Sequence, residues 1–295
     1  MAAADTMVLV AARVSADVGE GPCWDDATRT LLFVDVTPGT IHRLDPEMGV
    51  LASRSIGQEV GAAIPRTGGG LVVAARDGIG FLDDDPRADL VMVAPIEADN
   101  PGNRMNDAKC DPAGRLWAGT MAFDFARHAG SLYRMETDRR WRRVLSDVTI
   151  SNGLGWSPAG TTMYFVDSGE SAVDAFAFDP VTGVATNRRR LIEFGQGEGM
   201  PDGLTVDADG HLWVAMFGAG LVRRFSPRGV PSGQVRLPVS QVTSVAFGGS
   251  ALDTLFVTSA AYRLTPARLA EEPLAGATFC CRPGPTGLPA VRFGG

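Results

Sequence analysis

Six apolar runs recur along the 295-residue chain at nearly constant spacing, and this repeat strongly limits the folds open to it. The runs begin at positions 31, 71, 116, 163, 212 and 255, so successive starts differ by 40 to 49 residues. Turn-forming residues precede nearly every run, as in Asp111-Pro112-Ala113-Gly114, and a second strand-like stretch follows, as in Ser131-Leu132-Tyr133-Arg134-Met135. Turn-separated strands with this period are typical of propeller blades, so the six repeats predict an all-β, six-bladed β-propeller.

Other architectures explain the repeat less well. A doubly wound α/β fold would need amphipathic helices between the strands, and the chain shows no convincing long helical pattern. Two β-sandwiches would not produce a constant period, and each repeat is too long for a leucine-rich solenoid. The strand-like segments 6–14 and 277–281 are expected to complete one blade together, which closes the ring. Without an interrupting linker, residues 1–295 are predicted to form a single domain.

Charge and composition exclude several classes of function. The net charge of −7 argues against nucleic-acid binding, which requires a basic face. No apolar run approaches the roughly 20 residues that cross a bilayer, and the N-terminus lacks a secretory signal pattern. The four cysteines have neither paired spacing nor the density of a disulfide scaffold. We therefore expect a cytoplasmic monomer or small homo-oligomer that contacts neither nucleic acid nor membrane.

Four oxygen-bearing side chains lie at nearly the same distance before an apolar run of the repeat. Glu20, Asn106, Asn152 and Asp202 each lie 10 or 11 residues before an apolar run. Equivalent positions in a closed ring face one axis, so these side chains are expected to meet at one end of the central channel. Glu20, Asn152 and Asp202 form an oxygen-rich set that suits a hard divalent cation and leaves positions open for water or substrate. Asn-Gly and Asp-Gly are ordinary turn dipeptides when taken singly, so the shared register is what favours a site.

Several motifs, in order and at consistent spacing, resemble the SMP-30/gluconolactonase/regucalcin-like family of six-bladed propellers. The similarity runs from about residue 18 to about residue 293. It is carried by the motifs Gly19-Glu20-Gly21-Pro22, Arg104-Met105-Asn106-Asp107-Ala108-Lys109, residues 111–121, Ser151-Asn152-Gly153-Leu154-Gly155-Trp156-Ser157 and Pro201-Asp202-Gly203. Several such motifs together are a specific signal, whereas any one of them alone would not be.

This resemblance implies one divalent cation held by Glu20, Asn152 and Asp202. Oxygen ligands favour calcium, and they leave magnesium, manganese and zinc open. Arg104 and Asn106 would contact the hydroxyl groups and the carbonyl end of a sugar lactone, and Asp202 would activate water.

The chain departs from the family after Gly119-Thr120-Met121. The family often has a glutamate shortly after this motif, where it contacts substrate hydroxyls, and in this chain the shorter Asp124 lies beside the bulky Phe123. Asp124 is therefore expected to bind substrate. The departure puts the identity of the substrate in question more than the type of reaction.

The reaction predicted is metal-dependent hydrolysis of an aldonolactone to the aldonic acid, in carbohydrate catabolism. The cation would stabilise the oxyanion of the lactone carbonyl, and Asp202 would deprotonate water or only position a metal-bound hydroxide. One alternative is a phosphotriesterase or aryl-ester hydrolase on the same scaffold, although Arg104 with Asn106 favours polyhydroxylated substrates. Another is a calcium-binding regulatory protein without turnover.

Other residues have structural or supporting roles in this interpretation. Trp117 and Trp213 occupy matching blade positions and are predicted to pack in the core. Lys109 is expected to be structural or ion-paired. Asp167 ends the apolar run that follows Asn152 and could order the metal ligands. His128 lies in the loop that contains residues 123–127. This loop could act as a partial lid, and His128 could face the pocket.

Overall fold

A computed structural model describes residues 6–295 and arranges them as six four-stranded antiparallel sheets. The inner strand of each sheet contacts the inner strand of the next, and the sixth contacts the first, which closes a ring around a central channel. The predicted all-β, six-bladed β-propeller is therefore confirmed.

The 24 strands of residues 6–295 are numbered in chain order, and each blade is described from the channel outward. Blade 1 consists of β2 (Gly19–Asp25), β3 (Thr30–Asp35), β4 (Thr40–Asp45) and β5 (Val50–Ser55), and blade 2 of β6 (Val60–Pro65), β7 (Leu71–Ala75), β8 (Gly78–Leu82) and β9 (Val91–Ala94). Blade 3 consists of β10 (Asn103–Cys110), β11 (Leu116–Ala122), β12 (Gly130–Met135) and β13 (Trp141–Val148), and blade 4 of β14 (Ser151–Trp156), β15 (Thr162–Asp167), β16 (Ala172–Asp179) and β17 (Val184–Glu193). Blade 5 consists of β18 (Met200–Val206), β19 (Leu212–Phe217), β20 (Leu221–Phe225) and β21 (Pro231–Arg236), and blade 6 of β22 (Val242–Gly248), β23 (Thr254–Ser259), β24 (Thr278–Cys281) and β1 (Leu9–Ala12).

The two ends of the chain meet in blade 6, as expected. Strand β1 pairs antiparallel with β24 and places Leu9 opposite Cys280 and Val10 opposite Phe279. Because the N-terminal strand completes a blade begun by C-terminal strands, hydrogen bonds as well as packing close the ring. All four cysteines are free.

The apolar cores lie between neighbouring blades. One cluster joins blades 4 and 5 through residues that include Val166, Val173, Leu204 and Val214. Each sheet buries both of its faces against neighbours, and strands β3, β11 and β14 are accordingly buried at every position. The apolar runs of the sequence are the second strands of the blades, which lie within this packing.

The same kind of turn occurs in blade 3 and in blade 5, and in each an aspartate accepts a hydrogen bond from a tryptophan of the next strand. Asp111 accepts hydrogen bonds from the backbone N–H of Ala113 at 2.9 Å and from the indole N–H of Trp117 at 3.0 Å. Asp207 accepts one from the indole N–H of Trp213 at 2.9 Å. Both indole rings are buried, so the predicted core positions of Trp117 and Trp213 are confirmed.

Residues 283–295 form a C-terminal strap that crosses the end of the channel where the inner strands finish. The strap is bonded to blade 5 through the backbone N–H of Ala208 and the carbonyl oxygen of Thr286, at 2.9 Å. It reaches blade 2, where the N–H of Phe293 donates to the carbonyl oxygen of Pro65 at 2.9 Å. The one α-helix of the described region, α1 (Pro266–Glu271), has six residues, and no helix of residues 6–295 could span a membrane.

Candidate functional site

The inner strands share a break in register near their N-terminal ends, where the predicted site residues lie. In four blades the break falls between Glu20 and Cys23, Met105 and Ala108, Ser151 and Leu154, and Pro201 and Leu204. Such β-bulges unpair residues from the ladder and redirect their side chains. The Asn-Gly and Asp-Gly pairs at 152 and 202 are thus bulged positions inside β14 and β18, and neither is a turn.

Gly153 and Gly203 stand where neighbouring inner strands approach each other closely. A Cβ atom at position 153 would lie 2.5 Å from the backbone nitrogen of Leu204 and 2.7 Å from the carbonyl oxygen of Asp202. A Cβ atom at position 203 would lie 2.0 Å from Oγ of Ser244. Only glycine fits at these positions, and it lets blades 4, 5 and 6 converge at this mouth of the channel.

A chain of hydrogen bonds joins blades 3, 4 and 5 at the same mouth. Nη1 of Arg104 donates to Oδ1 of Asn106 at 2.7 Å, and Nδ2 of Asn106 donates to Oδ1 of Asn152 at 2.9 Å. Nδ2 of Asn152 donates to Oγ of Ser168 at 2.8 Å, and this hydroxyl donates to the carbonyl oxygen of Pro201 at 2.6 Å. The Asn152 amide is therefore held in one orientation and tied to strand β18.

Glu20 and Asp202 are buried carboxyl groups with exposed fractions of 7% and 5%. Burial raises the pKa of Glu20 to about 8; the charge of Asp107 adds to the rise, and the Gly21 N–H and Arg104 oppose it. Burial also raises the pKa of Asp202 well above its usual range, with further contributions from Glu20 and Asp107. Among residues 6–295, Oδ1 of Asp202 has no hydrogen-bond partner. The three carboxyl groups of Glu20, Asp107 and Asp202 thus outnumber the single guanidinium group, that of Arg104, which opposes the rise in the pKa of Glu20 and Asp202.

This donor set fits a divalent cation. Carboxylate and amide oxygens are the ligands that calcium, magnesium and manganese prefer, and the unpartnered oxygen of Asp202 is free to bind one. Residues 6–295 contain no group of three or more histidine, cysteine, aspartate or glutamate side chains placed to hold a metal ion. The predicted set has only two carboxylates, Glu20 and Asp202, and would take its third donor from the Asn152 amide.

Two aspartates at the ends of central strands hold the backbone that leads into the site. Asp167 accepts hydrogen bonds from the N–H groups of Thr149 and Ile150 at 2.9 and 3.0 Å, just before β14. Asp35 accepts two at 3.1 Å from the N–H groups of residues 17 and 18, just before β2. Each aspartate therefore positions a strand that carries one predicted ligand, which is the kind of ordering role expected for Asp167.

The predicted substrate contacts are only partly brought together. Arg104 and Asn106 lie in the hydrogen-bonded cluster. Asp124 lies in the exposed loop 123–129, where its Oδ1 accepts a hydrogen bond from the N–H of Ala126 at 3.0 Å. Asp124 makes no hydrogen bond to the cluster within the described part of the chain, so its contact with substrate stays a prediction.

The same loop is bonded to its surroundings at several points, two of which involve the side chains of Arg127 and His128. Arg127 forms an ion pair of 2.6 Å with Glu170 of blade 4. Nδ1 of His128 lies 3.0 Å from the carbonyl oxygen of Asp147, to which it donates, and the His128 ring is exposed. These contacts hold loop 123–129 against blades 3 and 4, and a position of His128 facing the pocket stays a prediction.

We expect metal-free protein to lose stability as the pH rises from about 5 to 8. The unfolded Glu20 carboxyl loses its proton near pH 4.5 and the folded one near pH 8, so the folded state binds more protons in this window. Glu20 should contribute a fall of on the order of 2–4 kcal/mol to the free energy of unfolding, and this contribution levels off above about pH 8. Thermal unfolding of chelator-treated protein across this range measures the fall. Glu20→Gln should make it shallower, and an equally steep fall in that variant would contradict the assignment.

Ser168→Ala is expected to weaken metal binding by about 10- to 100-fold while the fold is kept. The substitution removes the hydroxyl that orients the Asn152 amide, and it leaves the predicted ligands in place. Calorimetric titration with Ca²⁺ measures the change, and Ser232→Ala on the exposed outer strand β21 is the matched control. Equal affinities in the two variants would show that Ser168 does not orient the Asn152 amide for metal binding.

Known proteins are similar to this chain in both sequence and fold. A family model described as the SMP-30/Gluconolactonase/LRE-like region matches residues 18–261. Regucalcin of Danio rerio is 36% identical over 283 residues, 95% of each chain. A Bacillus subtilis (strain 168) protein whose name proposes it as a sugar lactone lactonase is 34% identical over 281 residues, 94% of this chain and 95% of that protein. The crystal structure of a calcium-binding protein, regucalcin from Agrobacterium tumefaciens, has a TM-score of 0.94 and 29% identity, and 98% of each chain is covered.

Proposed function

Because this chain belongs to the SMP-30/gluconolactonase/LRE-like family, we propose that it is a divalent-metal-dependent lactonase that hydrolyses an aldonolactone to the aldonic acid. The observation that carries the proposal is the buried, unpartnered oxygen of Asp202 beside a second buried acid, Glu20. The name of the Bacillus subtilis relative supports the same reaction. Calcium is the metal we propose, since the donors are hard oxygens.

Glu20, Asn152 and Asp202 would hold the cation. When bound, it would polarise the lactone carbonyl and lower the energy of the negative charge that develops there. Arg104 would donate hydrogen bonds to substrate oxygens, and its bond to Asn106 keeps the guanidinium in place. The carboxylate oxygen of Asp202 that does not bind the cation would accept a proton from the attacking water as the new C–O bond forms. The ester C–O bond of the ring then breaks, and the proton passes to the departing alkoxide to give the hydroxy acid.

Arg104→Ala is expected to raise KM for the lactone by roughly 10- to 100-fold, with a smaller change in kcat, because it removes charge-assisted hydrogen bonds to the substrate. Steady-state kinetics at saturating Ca²⁺ separate the two parameters. Arg228→Ala, on an exposed turn of blade 5, is the control and should match the unchanged protein. A loss confined to kcat would assign Arg104 to the chemical step.

A pH-indicator assay with a panel of aldonolactones tests the proposed function. We expect acid release from at least one lactone, its loss on treatment with a chelator, and its recovery on adding Ca²⁺. Release that persists after the metal is removed would overturn the metal-dependent mechanism. Absence of release from every lactone, with Ca²⁺ still bound, would favour the alternative of a calcium-binding protein without turnover; the Agrobacterium tumefaciens relative is described as a calcium-binding protein.

Phosphotriesters and aryl esters belong in the same panel. The hydrogen-bonded pair Arg104 and Asn106 presents polar groups at the site, which suits a substrate with many hydroxyl groups better than an apolar ester. The lactones should therefore be the better substrates when kcat/KM values are compared. A higher kcat/KM for an aryl ester would favour that alternative.

A further inference from the structure

Glu97 is a half-buried glutamate in the connection between β9 and β10, just before the strand that carries Arg104 and Asn106. Its backbone φ is 54°, in the left-handed region that residues other than glycine rarely adopt. A residue keeps such a conformation only where surrounding contacts hold it. The carboxylate of Glu97 makes several contacts of this kind.

The Glu97 carboxylate accepts hydrogen bonds from three adjacent strands of blade 3. Oε1 accepts from the hydroxyl of Thr120 on β11 at 3.0 Å and from the hydroxyl of Tyr133 on β12 at 2.7 Å. Oε2 accepts from Nδ2 of Asn103, the first residue of β10, at 2.7 Å. Glu97 therefore ties β10, β11 and β12 together at the end of the blade where the predicted substrate contacts lie.

The same amide of Asn103 holds one end of loop 123–129. Its Nδ2 donates a second hydrogen bond, to the carbonyl oxygen of Ala129 at 2.8 Å. At the other end of the loop, the N–H of Phe123 donates to the carbonyl oxygen of Gly102 at 2.9 Å. Asn103 is only 5% exposed, so its amide has little freedom to turn. Both ends of the loop are thus bonded to residues at the start of β10.

We propose that Glu97 is a positioning residue for substrate binding, which acts by fixing Asn103 and with it the next residue, Arg104. The inference rests on the proposed function, in which Arg104 donates hydrogen bonds to the lactone. Within residues 6–295, the side-chain hydrogen bonds of Glu97 reach none of the predicted metal ligands. Binding of the lactone should therefore depend on Glu97, and binding of the metal should not.

Glu97→Gln should break one of the three hydrogen bonds selectively. The glutamine oxygen can still accept from Thr120 and Tyr133, but its NH₂ group then faces Nδ2 of Asn103, and two donors cannot bond. The Asn103 amide cannot turn round without losing its bond to Ala129. We expect KM for the lactone to rise by about 3- to 10-fold, with kcat and the Ca²⁺ affinity changed by less than about twofold. Steady-state kinetics and calorimetry measure these quantities.

Three further variants separate positioning from a merely structural role. Tyr133→Phe removes a different bond of Glu97 and leaves the bond to Asn103, so it should lower Tm and keep the KM of the unchanged protein. Glu193→Gln, on the outer strand β17 with a side chain 76% exposed, is the matched control for the loss of charge and should change neither. Asn103→Ala removes the link from its other side and should raise KM at least as much, which provides a test if Glu97→Gln does not fold.

A double-mutant cycle tests whether the effect passes through Arg104. In the Arg104→Ala protein, Glu97→Gln should change KM by less than about twofold, because the group that it positions is already absent. The same increase in KM with and without Arg104, or a KM unchanged by Glu97→Gln in a protein that hydrolyses lactones, would overturn the inference. A loss of Ca²⁺ affinity as large as the rise in KM would also overturn it.

Hydrogen exchange of residues 123–129 in the Ca²⁺-loaded protein needs no substrate, so its outcome is independent of the proposed function. Exchange should be faster in Glu97→Gln than in Tyr133→Phe, because only the former loses the bond that orients Asn103. Equal exchange rates in the two variants would overturn the inference. Hydrolysis of no lactone by the unchanged protein would instead overturn the proposed function, and exchange would still show whether Glu97 holds this part of blade 3.

Discussion

Replacing Asp202 by alanine is expected to lower kcat for aldonolactone hydrolysis by on the order of 10³-fold or more. The change removes a predicted metal ligand and the group proposed to accept the proton from water, so metal binding and turnover should fall together. Steady-state kinetics at high Ca²⁺, with calorimetry on the same preparation, measure both quantities. Thermal unfolding should show that the variant is folded, since the substitution also removes a buried acid whose pKa is raised.

Asp209→Ala is the matched control for this experiment. Asp209 belongs to the same blade and lies in the turn after β18, where its side chain is 69% exposed. The control should keep the kcat and the Ca²⁺ affinity of the unchanged protein. Near-normal turnover by Asp202→Ala with the metal removed would contradict the mechanism outright.

Gly153→Ala is expected to destabilise the protein by about 2–3 kcal/mol and to lower Tm by roughly 5–10 °C. Its Cβ atom would meet the backbone of Leu204 and Asp202, so β14 and β18 would have to separate at the point where they carry two predicted ligands. Ca²⁺ affinity should therefore fall by about tenfold or more as well. Thermal unfolding with and without Ca²⁺ measures both effects.

The control for this substitution is Gly233→Ala on the outer strand β21. A Cβ atom at position 233 would lie 3.7 Å from its nearest neighbour, an ordinary contact, so Tm should change little. If Gly153→Ala had the stability and the Ca²⁺ affinity of Gly233→Ala, the close approach of blades 4 and 5 would not matter for the site.

The fold could be predicted because a blade is a local unit that the chain repeats. The runs that begin at Leu31 and Leu212 form strands β3 and β19, each buried against neighbouring blades, and the strand-like ends join in one sheet. A period of this kind survives changes in individual side chains, since it depends only on where apolar strands and turns fall. The C-terminal strap has no such period. The burial of Phe293 against blades 2 and 3 was therefore not predicted from the sequence.

The meeting of Glu20, Asn106, Asn152 and Asp202 at one mouth follows from their similar distance, 10 or 11 residues, to the apolar runs. That register carries over into the structure because the inner strands break their pairing close to these residues. Asn106, Asn152 and Asp202 lie within the breaks, and Glu20 is the last paired residue before the break in β2. Whether these side chains bind a metal ion is a further step, which the sequence and the geometry support and which the experiments above test.

Residues that orient the predicted ligands, or the strands that carry them, are harder to identify from the sequence. Ser168 acts by bridging Asn152 to Pro201, which is 33 residues further on, and no local pattern around Ser168 signals that contact. Asp35 does have a signal in the sequence, although its role was not predicted. It ends its apolar run with the same Val-Asp pair as Asp167, and both aspartates hold the backbone before a ligand-bearing strand.

The position of Asp124 in the repeat does not place its side chain in the site. Its position after β11 resembles that of a family glutamate, but the loop that carries it is exposed and bonded to its own backbone. Loop conformation depends on contacts such as the ion pair between Arg127 and Glu170, which no sequence period specifies.

Diffraction from a crystal soaked in Mn²⁺, with anomalous data collected near the manganese absorption edge, tests most directly whether side chains from three blades hold one cation. We predict a single strong anomalous peak about 2.0–2.6 Å from a carboxylate oxygen of Glu20, the amide oxygen of Asn152 and a carboxylate oxygen of Asp202. A peak bound elsewhere, or no peak among these three side chains in a protein that hydrolyses lactones, would contradict the account.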